Sequence, residues 1–269
     1  MEFGLSTTMI EDKDIFSQIP ILFEYGIKKI ELRANLKHFE YNNYKKIDLL
    51  SKELNKSDIM VYSMHMPFGN VDISRQEKQI RNNSILRIKE AGLALQRLGG
   101  KVLVVHGGAK IENDKREKRV KISIQSLKEL SDFCAEKNLN LAIENTLPGR
   151  IGDTIEEILY IVKKVNSSNV GVCLDTGHIN VHGEPVDALK KLREQLIHIH
   201  IADNLGENDD HFLPWEGNIN WEKFINVLSK INYKGILMLE VVRNEKSVEE
   251  RLKQVNSVFR RFSSETLDF

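Results

Sequence analysis

The sequence predicts an α/β fold, a single (β/α)8 barrel, and three observations lead to this fold class. Eight short apolar runs rich in Val, Ile and Leu recur along the chain, as expected for strands covered on both faces. Stretches with the apolar spacing of amphipathic helices separate these runs. The links between the elements are short, which favours one closed parallel barrel for a chain of 269 residues.

The predicted elements follow one another in a regular order. The strands are expected at Glu2–Ser6, Lys29–Arg33, Ile59–Met64, Val102–His106, Leu141–Glu144, Val170–Leu174, Leu196–Ile201 and Ile236–Val241. The clearest helical patterns cover Arg87–Leu98, Ile122–Lys137, Ile155–Val165 and Val248–Phe262. Glycines at 26, 99, 100 and 235 mark turns from helix to strand. Thr154 is a predicted N-cap, with Glu157 three residues later in a capping-box spacing.

The domain organisation is predicted to be simple. The barrel is expected to occupy residues 1–262, and residues 263–269 read as a C-terminal tail. An open doubly wound sheet is the main alternative, but no G-x-G-x-x-G follows the first strand, which weakens the dinucleotide-binding version of that fold.

Composition narrows the function classes. Lys plus Arg and Asp plus Glu both number 39, so a formal net charge of zero provides no global attraction to DNA or to an anionic membrane. No apolar run approaches the length of a membrane span, so no membrane association is predicted. The two cysteines, Cys134 and Cys173, lie in different predicted elements, which makes a disulfide framework unexpected and a reducing, cytoplasmic compartment the default.

Polar residues fall at the ends of almost every predicted strand. They are Glu31, His65, His106, Glu144, Asp175, His200 and Glu240. In a barrel these ends converge on one mouth, where active sites sit. Alternation predicts shared inward faces for four sets of residues: Val61, Ser63 and His65; Val102, Val104 and His106; Cys173 and Asp175; and Met238 and Glu240.

A cation would compensate such crowded charges, because buried charged groups otherwise lose hydration without a partner. His178 follows Asp175 by three residues, and Asp209 and His211 lie in a loop shortly after His200. Imidazole and carboxylate donors suit Zn²⁺ or Mn²⁺, and also Fe²⁺ or Co²⁺. His198 faces the same way as His200 one layer deeper, where we expect a core residue or an orienting partner.

At these motifs the sequence resembles the xylose isomerase-like barrel superfamily. The most specific segments are H-M-P-F at 65–68, H-G-G at 106–108, E-N at 144–145, D-T-G-H at 175–178, H-I-A-D-N at 200–204, D-D-H-F-L-P-W-E-G-N-I-N-W at 209–221 and L-E-V at 239–241. The resemblance implies one metal held by Glu144, Asp175, His200 and Glu240, as in the isomerase and epimerase members. For the endonuclease IV-type members it implies three zinc ions, with His65, His106, His178, Asp209 and His211 as further ligands.

The resemblance favours a metal-dependent isomerase or epimerase acting on a sugar or sugar phosphate. Its metal would stabilise the enediolate formed by proton loss next to a carbonyl. Glu144 and Glu240 are the expected proton-transfer residues. Glu31 and Arg243 are candidates for holding substrate hydroxyls or a phosphate, and Phe68 and Trp215 for an apolar wall. The expected partner is a small carbohydrate, and the sequence leaves a homo-oligomer open.

Two alternatives stay open. The first is an AP endonuclease or other phosphodiesterase with clustered zinc ions. Against it, the mouth loops Pro67–Ile73 and Ala202–Gly217 contain no Lys or Arg to neutralise phosphates, so nucleic acid is not expected as a partner. The second is a barrel that binds without catalysis, which loss of metal ligands would indicate. All nine candidate ligands are present in this chain.

Overall fold

The computed structural model describes residues 1–111 and 115–265, in which eight parallel strands close into a barrel in sequence order. The strands are β1 (Glu2–Ser6), β2 (Lys29–Arg33), β3 (Met60–His65), β4 (Val102–His106), β5 (Asn140–Glu144), β6 (Val170–Asp175), β7 (Leu196–Ile201) and β8 (Ile236–Leu239). The predicted fold class and all eight predicted strands are confirmed, with ends that shift by at most two residues.

Nine α-helices surround the barrel in the described ranges, and a short 3-10 helix (Thr7–Ile10) follows β1. They are α1 (Ile15–Glu24), α2 (Tyr44–Lys56), α3 (Lys78–Arg97), α4 (Arg116–Glu136), α5 (Ile155–Val165), α6 (Thr176–Asn180), α7 (Pro185–Leu192), α8 (Trp221–Lys230) and α9 (Val248–Glu265). Helices α3 and α4 begin earlier than predicted. Their first turns are mostly polar and exposed, so the apolar spacing used for the prediction does not reveal them. Helix α9 includes the first three residues of the predicted tail, and the rest of that tail, 266–269, lies outside the described residues.

The start of α5 matches its predicted cap only in part. The Thr154 hydroxyl accepts a hydrogen bond from the backbone N–H of Glu157 at 3.2 Å, as an N-cap should. The Glu157 carboxylate does not complete the capping box, because it accepts from the backbone N–H of Gly152 at 2.6 Å and from Arg116. The cap is therefore confirmed, and its reciprocal half is replaced by contacts to the preceding loop.

The apolar residues form two layers separated by the sheet. Leu103 and Val105 belong to the large core between strands and helices, whereas Val102 and Val104 belong to a small cluster on the opposite face, inside the barrel. This confirms the predicted alternation of β4. Both cysteines are buried and free. Among the described residues, no helix combines the length and the apolar character needed to cross a bilayer.

One predicted alternation was wrong. The register between β2 and β3 shifts after Ile30, which pairs with Val61, because the next residue, Glu31, pairs with Ser63. This bulge places Tyr62 against the interior cluster and leaves Val61 in the helix-facing core. Ser63 and His65 keep the predicted inward face, and they contact Glu31 and Glu144 respectively.

Candidate functional site

A cavity of about 140 Å³ lies at the carboxyl ends of the strands. Its walls come from strand ends and from the loops that follow them. They are Thr8, Arg33, His65, Phe68, His106, Glu144, Thr146, Leu147, Arg150, His178, Asp209, His211 and Glu240. Seven of the nine predicted metal ligands therefore line the cavity itself, and Asp175 and His200 are fully buried beside them. This is the mouth at which barrel active sites form.

Four buried donors form a central cluster. Glu144, Asp175, His200 and Glu240 each contribute one atom to a group whose members all lie within 4.8 Å of one another. The Nδ1 atom of His200 lies 2.9 Å from Glu144 Oε1 and 2.7 Å from Glu240 Oε2. The four ligands predicted for a single metal ion are thus brought together at one point.

Two further clusters flank the central one. In the inner flanking cluster, the Nε2 atoms of His65 and His106 lie 3.0 and 2.9 Å from the same oxygen, Glu144 Oε2. In the loop cluster, defined by His178, Asp209 and His211, both Nε2 atoms lie near Asp209 Oδ2, at 3.2 and 3.1 Å. Glu144 belongs to both the central and the inner flanking cluster, so the two clusters share one carboxylate.

The hydrogen bonds behind the rings fix which nitrogen faces each cluster. The Nδ1–H of His178 donates to the Asn145 carbonyl at 2.9 Å, that of His211 to the Glu240 carbonyl at 2.8 Å, and that of His65 to the Met66 carbonyl at 3.0 Å. Each Nε2 then faces carboxylate oxygens, at the position where a cation would replace the ring proton and take the nitrogen lone pair. Backbone partners of this kind orient metal-ligating histidines.

Glu31 orients His200 in the same way from below. The Nε2–H groups of His198 and His200 both donate to Glu31 Oε2 at 3.1 Å, and the Ser63 hydroxyl donates to the same oxygen at 2.8 Å. Glu31 is fully buried and is not part of the cavity wall, so the structure does not bring it to a position where it would hold substrate hydroxyls. His198 lies one layer below His200, as predicted, with the Glu31 carboxylate between them.

The donor chemistry fits a divalent cation. Asp175 Oδ2 is buried without a hydrogen-bond partner, although Asp175 Oδ1 accepts from the His178 backbone N–H at 2.7 Å. Asp209 Oδ1 is a second buried oxygen with no partner. Unpaired buried carboxylate oxygens are costly unless something compensates them, and a cation at each cluster would do so. A fourth group, Cys173 with His198 and His200, fits less well because burial raises the pKa of the Cys173 thiol.

The charges of the cluster shift one another's pKa values. Burial raises the pKa of Glu144, but the charge of His200 and hydrogen bonds from His106 and His200 bring it well below its usual value. Burial also raises the pKa of Glu240, but the charges of His200 and Arg33 outweigh it and leave the pKa lowered. Asp175 differs, since burial dominates and raises its pKa to about 6. Both glutamates are therefore carboxylates at neutral pH.

The imidazoles are shifted in the opposite sense by the same neighbours. Burial lowers the pKa of His200, but the surrounding acidic groups, Cys173, Glu31 and Glu240 among them, raise it well above its ordinary value. Burial also lowers the pKa of His178, but the negative charges of Asp175 and Asp209 raise it well above its usual range. Burial lowers the pKa of His211 as well, but the hydrogen bond to Asp209 outweighs it and raises the pKa to about 9. Burial prevails at His106, where it lowers the pKa to about 4, and at His198, whose pKa is also lowered.

The predicted substrate-binding residues are divided between the cavity and the rim. Phe68 lines the cavity, where its ring stacks on His65 with centroids 4.7 Å apart. Trp215 packs instead against Phe262 of α9, with centroids 4.8 Å apart, and lies outside the cavity wall. Arg243 forms an ion pair with Asp12 at 2.7 Å and is likewise not part of the wall.

Several residues of the site were missed by sequence reasoning. Arg33 donates to Glu240 Oε1 at 2.9 Å, and the Thr8 hydroxyl donates to the same oxygen at 3.1 Å. Arg150, on the loop after β5, also lines the cavity. The mouth therefore does contain basic groups, although its two predicted loops lack Lys and Arg. They come from the end of β2 and from the loop after β5. Arg33 could have been found, since it shares the face of Glu31 at the end of the same strand.

Comparisons with known proteins agree with this architecture. Residues 20–261 match the family of xylose isomerase-like TIM barrels. A D-psicose 3-epimerase of Enterocloster bolteae is 32% identical over 59% of this chain and 52% of its own length. An inosose isomerase of Bacillus subtilis is 25% identical over 65% and 66%. A crystal structure of the IOLI protein with a bound zinc atom superposes with a TM-score of 0.86 and 23% identity, and covers 99% of both chains.

Proposed function

The chain belongs to the xylose isomerase-like TIM barrel family, and within it we propose a divalent-metal-dependent sugar isomerase or epimerase. One observation carries this proposal: two glutamates with lowered pKa values, Glu144 and Glu240, belong to one group of four donors and both contact His200 Nδ1. A base on each side of the reacting carbon is what removal and return of a proton next to a carbonyl require. The relatives that act as sugar epimerase and inosose isomerase support the same reaction class.

The central cluster is the proposed metal site, and Zn²⁺ or Mn²⁺ are the ions we expect there. Three carboxylates and one imidazole suit either ion, and Fe²⁺ or Co²⁺ also fit. The bound cation supplies Lewis-acid polarisation of the substrate carbonyl, which makes the neighbouring C–H more acidic. The zinc reported in the similarly folded IOLI protein supports this choice.

The two proposed bases are held by different partners. Glu144 Oε2 faces His65 and His106, and Glu240 Oε1 accepts from the Arg33 guanidinium and the Thr8 hydroxyl. Fixed partners keep each carboxylate at one position, which limits the reorganisation needed for proton transfer. The Phe68 ring stacks on the His65 ring and on the Arg33 guanidinium, whose carbon lies 3.8 Å from the Phe68 centroid.

The test is solvent exchange on a ketose that the enzyme accepts. In heavy water the wild type should place deuterium on the carbon next to the carbonyl. Glu144→Gln and Glu240→Gln keep the side-chain size but remove the base, so turnover should fall by about 10²–10⁴-fold. The exposed Glu249→Gln serves as the matched control and should keep full activity. Full activity in both site variants would remove these glutamates from the mechanism.

A second candidate, a multi-metal phosphodiesterase, is favoured by the two flanking clusters. His65, His106 and Glu144 could hold a second ion, and His178, Asp209 and His211 a third. Clustered metals can stabilise both the attacking and the leaving oxygen of a phosphodiester. We expect no useful incision of duplex DNA that contains an abasic site. Efficient incision that is lost in His65→Ala or His211→Ala would promote this candidate over the isomerase.

A further inference from the structure

The cavity contains two guanidinium groups in different electrostatic states. Arg33 is paired, with Glu240 Oε1 at 2.9 Å and Glu11 Oε2 at 3.5 Å, and it stacks on Phe68. Arg150 lines the same cavity, but within residues 1–111 and 115–265 its side chain forms no ion pair or hydrogen bond. Its charge is therefore available to a ligand, whereas that of Arg33 is already neutralised.

The carboxylates nearest to Arg150 along the chain are occupied by other donors. Arg116 forms ion pairs with Asp153 and with Glu157, the latter at 2.7 Å. The second Asp153 oxygen accepts from the backbone N–H of Gly149 at 2.7 Å. Arg116 thus pairs with the two acidic residues that follow Arg150 most closely, and Arg150 has no ion-pair partner among residues 1–111 and 115–265.

The loop that carries Arg150 is well fixed. The backbone N–H of Arg150 donates to the Leu147 carbonyl at 3.2 Å, and its own carbonyl accepts from Arg116 at 3.0 Å. The Thr146 hydroxyl donates to the Ile151 carbonyl at 3.1 Å, and Ile151 also pairs with Gly108 in an isolated bridge. Because this backbone is already fixed, the loop needs no ordering when a ligand binds, and only the Arg150 side chain loses freedom.

We infer that Arg150 binds an anionic group of the substrate, either a phosphate monoester or a carboxylate remote from the reacting carbonyl. This inference rests on the proposed isomerase function. A guanidinium presents paired N–H donors whose geometry matches both anions. With its carbonyl at the central metal site, a substrate would direct its far end toward the wall formed by Thr146, Leu147 and Arg150. The substrate class is then an acidic ketose, a sugar phosphate or a sugar acid.

The test compares three ketoses that differ only at carbon 6: D-fructose, D-fructose 6-phosphate and D-fructuronate. Calorimetric binding to zinc-loaded protein should favour at least one acidic ketose over D-fructose. In Arg150→Gln this preference should fall by about 10–100-fold, the usual range for a charge-assisted hydrogen-bond pair, while D-fructose affinity stays unchanged. Arg150→Lys should restore part of the preference, and Arg193→Gln, which removes an exposed arginine outside the cavity, should have no effect.

The outcomes separate this inference from the proposed function. Tighter binding of an acidic ketose that depends on Arg150, without turnover, supports the anion site and contradicts the isomerase proposal. Turnover of D-fructose that is equal in wild type and Arg150→Gln, with no preference for either acidic ketose, supports the isomerase and overturns the anion site. Failure of the wild type to bind either acidic ketose also overturns it. A preference for phosphate over carboxylate, or the reverse, identifies which anion the substrate carries.

Discussion

The central cluster and the loop cluster use the same donor types but are built in different ways. Glu144, Asp175 and His200 are strand residues and Glu240 follows β8 directly, and their side chains are 0 to 4% exposed. Asp209 and His211 lie on the long loop after β7, and side-chain exposure in the loop cluster is 11 to 18%. Barrel closure alone positions the first cluster, whereas the second depends on how one loop is held.

Asp203 is the residue that holds this loop. Its carboxylate accepts from the backbone N–H of Trp215 at 3.0 Å, from that of Ile219 at 3.2 Å and from the Trp221 indole at 2.8 Å. Elsewhere on the loop, His211 has a left-handed backbone with φ of 49°, and its backbone carbonyl accepts a hydrogen bond from the Val242 N–H at 3.2 Å. The loop cluster is thus positioned by hydrogen bonds between loop and barrel, which a local change could loosen without disturbing the strands.

The largest expected effect comes from breaking the central cluster. His200→Ala removes the only imidazole of that cluster, so we expect loss of the tightly bound central metal and of turnover. Glu31→Gln keeps His200 but weakens its orientation, and should cost about 10–100-fold in metal affinity or activity. Elemental analysis of the purified variants measures the bound metal, and kinetic assays measure the turnover.

Asp209→Ala provides the contrast for that experiment. It removes the shared carboxylate of the loop cluster, so the central metal should remain and isomerase turnover should fall far less than in His200→Ala. Equal loss of central metal in the two variants would contradict the separation of the clusters.

The same contrast explains what could be predicted from the sequence. Strand ends such as His106 and Asp175 are readable because period-two alternation and barrel topology together fix where their side chains converge. The bulge that displaces Val61 is not readable, since no residue type there requires it. The unpaired state of Arg150 among the described residues depends on Arg116, which pairs with the neighbouring carboxylates Asp153 and Glu157 from 37 and 41 residues away in the sequence. Such pairings are set by tertiary packing rather than by local pattern.

Proton release on metal loading offers a finer measure of how many clusters bind metal. In the metal-free protein at pH 7, His200 and His178 are protonated because their pKa values are raised well above the usual one, and so is His211, whose pKa is about 9. A metal ion takes the lone pair that the proton occupies, so each of these rings must release its proton. His106, with a pKa of about 4, is already neutral and contributes none.

The count follows directly from these charges. Zinc at the central site alone should release about one proton, from His200, and zinc at the loop cluster as well should raise the count to about three. Because the pKa values of His200 and His178 are raised well above the ordinary one and that of His211 to about 9, protons compete with the metal at these rings. Metal affinity should therefore rise as the pH increases from 7 toward 9. Calorimetry in buffers of different ionisation enthalpy measures the count. Asp209→Asn should lower a count of three toward one, and metal binding without proton release would contradict the protonated state assigned to His200.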